Sequence, residues 1–352
     1  MRELRLLVLL ARPAVVLLLA LFTAIGLAQA GQGENRVLLA QAFAAVLSFI
    51  LFSIAINDLA DVQIDRVNLA GDPRRPLVTG SGTSRDLVLI AGASAMTSLG
   101  FSAVLGWPVL LTTVAGIVVS AGYSLRPVRL ADRGVVASLV LPACYVAVPN
   151  LIGMFSARHA LRSSDLLLLA GLYLGFIARI LLKDFRDVRG DALFGKRTFL
   201  VRHGRVWTCR FSAVAWSGGT ALLLLAIHGS AALIASYAAG TVATVLLLRA
   251  LSHDRGPRRD ETIISALALV GRGLLISLLA ALAMTQANWA MLTSAAVIAV
   301  LALITAAEMM SMLRHGPHSR LALVQAVDAP WTTPSGSACR DRCLGHGVEV
   351  RT

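Results

Sequence analysis

Two short strings in the chain place carboxylates where they could act together. Asp58, Asp61 and Asp65 stand at i, i+3 and i+7, with Asn57 just ahead of them, and Asp184, Asp187 and Asp191 repeat the spacing. A continuing helix would put each set on one face. Carboxylates sharing a face repel one another unless a cation neutralises them. Hard oxygen ligands that leave positions open for water and phosphate suit Mg²⁺. Cations follow closely: Arg66, Arg74 and Arg75 after the first set, and Lys183, Arg186, Arg189, Lys196 and Arg197 around the second. Acid, metal and guanidinium together form the arrangement expected for binding a diphosphate. Either string alone could be a solvated loop in which acids and bases pair. Two copies in register, each after an apolar run, argue against that.

The elements that must hold these strings are apolar. Of 352 residues, 57% are hydrophobic and only 14% charged, where about a quarter charged is usual for soluble domains. Apolar runs occur at about 13–30, 37–57, 86–106, 107–123, 135–154, 164–183, 211–229, 231–250, 263–284 and 288–313. Runs of this length cross a hydrocarbon core as helices, and the alternation of a membrane barrel is absent. The expected class is an all-α membrane protein of nine or ten transmembrane helices. Residues 1–314 form the membrane domain. Residues 315–352, rich in Pro, Ser and Gly, read as a disordered cytoplasmic tail.

The distribution of basic residues orients the chain. Arg66, Arg74, Arg75 and Arg85, then Arg126, Arg129 and Arg133, then the cluster from Lys183 to Arg210, and finally Arg249, Arg255, Arg258 and Arg259 fall in alternate breaks between runs. The other breaks hold only Arg36, Arg158 and Arg162. The basic set is cytoplasmic by the positive-inside rule, as are both termini. This also accounts for the net charge of +13 without nucleic acid, for which no basic groove with interleaved aromatics exists. The first run ends in Ala28-Gln29-Ala30, which imitates a cleavage site, but the spans after it favour a retained helix. Cys144, Cys209, Cys339 and Cys343 read as unpaired thiols. The scattered histidines support no catalytic triad.

The motifs resemble those of UbiA-type membrane prenyltransferases. Asn57 to Asp65 reads N-D-x-x-D-x-x-x-D and Asp184 to Asp191 reads D-x-x-D-x-x-x-D, similar to the family's two signatures. Arg12-Pro13, the Arg75-Pro76-Leu77 to Gly80 stretch, the Tyr123-Ser124-Leu125-Arg126-Pro127 loop and Gly195-Lys196-Arg197-Thr198 resemble further family segments, in the family's order over about residues 12–250. The resemblance implies a bundle around a central cavity and transfer of an isoprenyl chain from a polyprenyl diphosphate to a hydrophobic, aromatic-type acceptor. It implies Mg²⁺ held by Asn57, Asp58, Asp61, Asp184 and Asp187, with Asp65 and Asp191 in or just behind the coordination sphere. By the same resemblance Asp58, Asp61, Asp184 and Asp187 are the catalytic set. Arg74, Arg75, Arg126, Lys183 and Lys196 are candidates for clamping phosphate oxygens, and Tyr123 for donating a hydrogen bond. The protein would be a multi-pass one, of the plasma membrane in a prokaryote. Three alternatives remain open: a terpene cyclase on the same fold, transfer to a non-aromatic acceptor, and a transporter. A transporter would be expected to hold its site at the bilayer midplane, whereas every motif acid here lies at a helix end.

Overall fold

The computed structural model describes residues 6–7, 10–32, 35–69, 72, 74–185, 198–227, 231–286 and 291–315. Among them all regular structure is helical. Helix α1 (Pro13–Gln29) opens on a proline, whose missing N–H costs nothing in a first turn. Helix α2 (Arg36–Ala60) is capped by the Asn35 side chain, which accepts from the Leu38 N–H. Two short helices, α3 (Val62–Asn68) and α4 (Pro76–Thr79), follow at its end. Helix α5 (Ser84–Leu105) begins with a reciprocal Thr83–Asp86 capping box. It turns at Gly106, whose φ of 120° only glycine adopts readily, into α6 (Trp107–Ser124). Then come α7 (Val135–Pro142), a π-helical turn (Ala143–Ala147) and α8 (Val148–Ala157). Helix α9 (Ser163–Ile180) runs through a 3₁₀ turn (Leu181–Lys183) to the second acidic string. Long helices α10 (Phe199–Ala226), α11 (Ala231–Leu251), α12 (Pro257–Thr285) and α13 (Met291–His315) complete the bundle.

Each of the ten expected apolar runs falls on helix among its described residues. Among the described residues, eight are long and apolar enough to cross a membrane, α7 to α8 counting as one. Helix α1 and the apolar part of α13, Ala295–Ala307, are shorter. Three local features depart from expectation. The run expected at 211–229 is extended towards its N-terminus: the Thr198 hydroxyl caps a short helical segment from Phe199, the backbone kinks at Gly204 (φ 77°, ψ 172°), and beyond the kink Arg205 pairs with Asp260 of α12. The run expected at 135–154 is interrupted after Pro142. Proline removes one ladder hydrogen bond, the backbone widens into the π turn, and the Tyr173 hydroxyl donates to the Leu139 carbonyl beside it. The first acidic string is not one continuing helix, since α2 stops at Ala60. The chain region from 316 onward, expected as a tail, lies outside the described residues.

Close approaches explain why the helices assemble as they do. An added Cβ at Gly26 would lie 2.1 Å from the Asn150 carbonyl oxygen, and one at Gly153 would lie 2.1 Å from the Thr23 carbonyl oxygen. The contact is reciprocal. Its partners are separated along the chain by nearly the offset that separates the two acidic strings. Helices α1 and α8 therefore cross at a pseudo-two-fold axis between two repeats of the same polarity, the parallel kind of membrane repeat. The correspondence extends outward: α2 pairs with α5, and α9 pairs with α10, in the two most extensive helix contacts of the bundle. The α9–α10 crossing uses small residues again, with Gly171 and Gly219 each facing the other's carbonyl. Without a hydrophobic force between helices in lipid, such close packing carries much of the association.

Gly26→Ala and Gly153→Ala are therefore each expected to destabilise the protein by about 3 kcal/mol or more, since backbone cannot yield as a side chain can. Gly92→Ala, which meets nothing within 4 Å, should be neutral or slightly stabilising. Thermal unfolding in detergent followed by size-exclusion fluorescence distinguishes the three.

Candidate active site

The first acidic string sits where α2 ends. Asp61 leaves the helical region (φ −103°, ψ 11°), serving as last cap of α2 and first cap of α3. The backbone hydrogen bonds Asp61 N–H to Asn57 and Asp65 N–H to Asp61 are kept, at 2.9 and 2.8 Å. The chain bends without unwinding, and the three carboxylates stay on one side. All three are buried: Asp58 is 3% exposed, Asp65 7% and Asp61 8%. Asn57 steadies Asp61 through an Nδ2–H donated to its carboxylate at 3.0 Å. Anionic side chains at the C-terminal end of a helix oppose its dipole. The chain thus gathers negative charge where backbone and burial both disfavour it.

Arginines from three distant segments meet that charge. Arg12, just before α1, lies 2.9 Å from Asp58, and Arg75 bridges Asp58 and Asp65, the latter at 2.9 Å. Arg129, in the loop after α6, pairs with Asp61 at 2.7 Å and also donates to the Ala60 carbonyl at 3.2 Å, the last of α2. Arg12 (φ 50°) and Arg129 (φ 33°) are the only non-glycine residues at positive φ among those described. A left-handed backbone costs an L-residue roughly 1–2 kcal/mol, a strain that concentrates where function demands a geometry. Both strained arginines reach the acidic string. Burial pushes the Asp65 carboxyl up to about 6; Arg75 opposes the rise and the neighbouring Asp58 and Asp61 add to it.

The start of the second acidic string lies within electrostatic reach of the first. Tyr123, near the end of α6, is within electrostatic reach of Lys183, Asp61 and Asp184 together, and Lys183 also acts on Asp65. Behind Asp184, the guanidinium of Arg205 lies 5.0 Å from the centre of the Phe185 ring. The same group forms a bidentate pair with Asp260, at 3.0 and 2.7 Å. Helices α10 and α12 thereby fix the base of the second string. Asp187, Asp191 and Lys196 lie outside the described residues.

The remaining sequence candidates are placed differently. Arg74 is half exposed and turned to Asp72, at 2.8 Å; burial raises the Asp72 carboxyl, but hydrogen bonds from Arg74 outweigh that and hold it low. Arg126 is exposed beside a cis peptide to Pro127. Arg12 and Arg129 were not among the expected phosphate ligands. Arg12 carried a sequence signal in the Arg-Pro pair, whereas Arg129 carried none beyond its place in a basic loop.

Beneath the charged layer the interior is apolar. Tyr145, in the π turn, stacks on Phe176 with centroids 5.6 Å apart and packs against both large apolar clusters. A narrow apolar cavity of about 60 Å³ lies between α1 and α9 to α12, lined by Phe22, Phe176, Trp216 and Leu274, with Arg179 at its edge. The layout is an acidic and cationic mouth over an apolar interior.

The UbiA prenyltransferase family model matches residues 17–269. The chain belongs to the UbiA prenyltransferase family. It is a multi-pass membrane prenyltransferase. It is 25% identical to the bacteriochlorophyll synthase 34 kDa chain of Chloroflexus aurantiacus, over 62% of this chain and 69% of that one. It is 27% identical to homogentisate phytyltransferase 1 of Arabidopsis thaliana, over 48% of this chain and 46% of the relative. With the digeranylgeranylglyceryl phosphate synthase of Methanoculleus marisnigri it shares 33% identity, over 48% of this chain and 58% of the relative. The fold matches that of a UbiA homologue from Archaeoglobus fulgidus bound to GPP and Mg²⁺, with a TM-score of 0.61 and 16% identity. That match covers 80% of this chain and 100% of the other.

Arg75→Gln and Arg129→Gln are expected to lower prenyl transfer by roughly a hundredfold, the scale for removing one preorganised donor from developing charge. Arg74→Gln, whose guanidinium faces Asp72, should stay within about threefold. Initial rates in reconstituted membranes, at saturating donor, measure the difference.

Proposed function

We propose that this prenyltransferase moves an isoprenyl chain from a polyprenyl diphosphate to a lipophilic aromatic acceptor, releasing diphosphate. The observation that carries the reading is the buried set Asp58, Asp61 and Asp65, met by Arg12, Arg75 and Arg129 at one end of the bundle, and the electrostatic reach of Asp61, Asp184 and Lys183 to the same Tyr123 supports it. Relatives named for homogentisate and naringenin support a phenolic acceptor, and the Mg²⁺ and GPP of the Archaeoglobus fulgidus homologue support the donor and metal.

The residues fit a magnesium site in their chemistry. Asn57, Asp58, Asp61 and Asp65 offer hard oxygens from one side and Asp184 from the start of the second string; Asp187 and Asp191, outside the described residues, are the further ligands that the resemblance implies. Among the described residues no three acidic, His or Cys side chains converge on one point, and each carboxylate of the first string is turned to an arginine. The carboxyl of Asp65 is raised to about 6 mainly by its burial, against the pull of Arg75, so a bound cation would favour its ionised form. When bound, Mg²⁺ would neutralise the diphosphate and stabilise the charge it gains as a leaving group.

The protein's own residues account for the rest. Lys183, Arg75 and Arg129 stand beside the carboxylates and donate to phosphate oxygens, with Arg12 as a further cation of the same mouth; Arg74 is held by Asp72, Arg126 is exposed, and Lys196, outside the described residues, keeps the clamping role the resemblance implies. Tyr123 donates a hydrogen bond from α6. As the allylic C–O bond breaks, its electron pair leaves with the diphosphate, where these fixed donors stabilise the growing charge. The cationic carbon is left over the apolar layer around Tyr145 and Phe176, which excludes water that would quench it. A nucleophilic carbon or oxygen of the acceptor forms the new bond, and the acceptor loses a proton.

The same reading sets the sidedness. The mouth and its loops, with both termini, face the cytoplasm, since Arg66, Arg75, Arg129, Lys183 and Arg249 gather at that end and only Arg36, Arg158 and Arg162 at the other.

Asp61→Ala and Asp187→Ala are expected to abolish diphosphate release in membranes supplied with geranylgeranyl diphosphate, Mg²⁺ and homogentisate. Full release by either variant would rule the reading out. Product analysis separates the alternatives: a prenylated phenol supports transfer, and a hydrocarbon made from donor alone indicates a cyclase.

A further inference from the structure

The end of the bundle opposite the aspartates contains a second polar site that the transfer reaction does not use. A cavity of about 300 Å³ opens between the α1–α2 turn, the start of α9 and the end of α12, lined by Gln29, Gly31, Arg158, Arg162, Ser164 and Asp165. Its floor is Asp165, in the first turn of α9 and 3% exposed. That carboxylate accepts from the Arg158 guanidinium, from the Gln29 side-chain amide at 3.2 Å and from the Arg162 backbone N–H at 2.6 Å. Gln29 is 6% exposed. Because its Nε2 donates to a carboxylate, its orientation is determined: the flipped amide would set oxygen against oxygen.

Two atoms of this network lack partners. The Gln29 Oε1 and the Arg158 Nε are both buried with no hydrogen bond, and they sit together against one cavity. One is an acceptor waiting for a donor and the other a donor waiting for an acceptor. The charge does not close either among the described residues. Arg158 pairs with Asp165, whereas Arg162 meets that carboxylate only through its backbone N–H and adds its own positive charge at the cavity wall. A bridging water would meet the hydrogen-bond deficit but not the charge, and the cavity is several times the size of a water. The complementary ligand is an anion that also carries a hydroxyl. At the rim of a membrane bundle such a group is at hand in the lipid headgroups.

We propose that this cavity binds the headgroup of an anionic, hydroxyl-bearing phospholipid of the phosphatidylglycerol type, from the leaflet opposite the aspartates. The phosphodiester accepts from Arg158 Nε and Arg162, and a glycerol hydroxyl donates to Gln29 Oε1. The bound lipid thereby joins the ends of α1 and α8 to the start of α9.

The test uses the full chain in detergent, titrated with phosphatidylglycerol, phosphatidylcholine or inorganic phosphate and followed by native mass spectrometry and thermal unfolding. Wild-type protein should retain one phosphatidylglycerol per chain and be stabilised by it. Gln29→Leu and the exposed-site variant Arg162→Gln should each weaken that binding about tenfold, the scale of one hydrogen bond to a charged group. Equal retention of phosphatidylcholine, or undiminished retention by both variants, would mean a non-specific annular lipid and overturn the proposal. So would a Gln29-dependent stabilisation by inorganic phosphate alone as large as that given by the lipid.

Discussion

Negative charge gathered at the buried end of a helix is the condition that organises this molecule. Asp58 and Asp61 lie where the α2 dipole is itself negative, and Asp65 comes one turn later, all nearly sealed from water. Such a cluster persists only with counter-charge, and the fold supplies it from far along the chain: Arg12 before the first span, Arg75 in the loop beyond α3 and Arg129 after α6. Removing one partner of a buried pair typically costs about 3–5 kcal/mol, so these contacts also tie the loops to the bundle. The arrangement is costly to hold without a ligand and well suited to one that is both metal and anion.

The repeat explains how the start of the second string comes near the first. Crossing at Gly26 and Gly153, α1 and α8 set two half-bundles side by side with the same polarity. The segment after α2 in one half must then meet the segment after α9 in the other, and Tyr123 lies where the two ends come together. The glycines far down in the spans therefore matter to the chemistry at the mouth. Arg205 plays a related part, since its pair with Asp260 and its contact with Phe185 hold the base of the second string.

Much of this was legible in the residues. Acidic spacing, the apolar runs and the alternation of basic breaks come from local chemistry, and local chemistry is what a linear string displays. The break at Asp61 was not legible, because nothing in Asp61-Val62 forbids a continuing helix and the bend depends on Arg129 gripping the carbonyl of Ala60. Nor could spacing tell Arg74 from its neighbour. On an irregular loop adjacent side chains point apart, and Arg74 was captured by Asp72 while Arg75 reached Asp58. Arg129 needed the fold itself, since only the tertiary path brings it to Asp61. Its strained backbone, shared with Arg12, is a signal that exists only in three dimensions.

The central claim is that the two acidic strings form one site for a metal-bound diphosphate, and coupling between them tests it most directly. Calorimetric titration of Mg²⁺ and inorganic diphosphate into the wild type, Asp61→Asn, Asp184→Asn and the double variant gives the coupling energy. If the strings act as one site, each single change should weaken binding nearly as much as both together. Independent, additive losses, or undiminished binding in either single variant, would contradict the account.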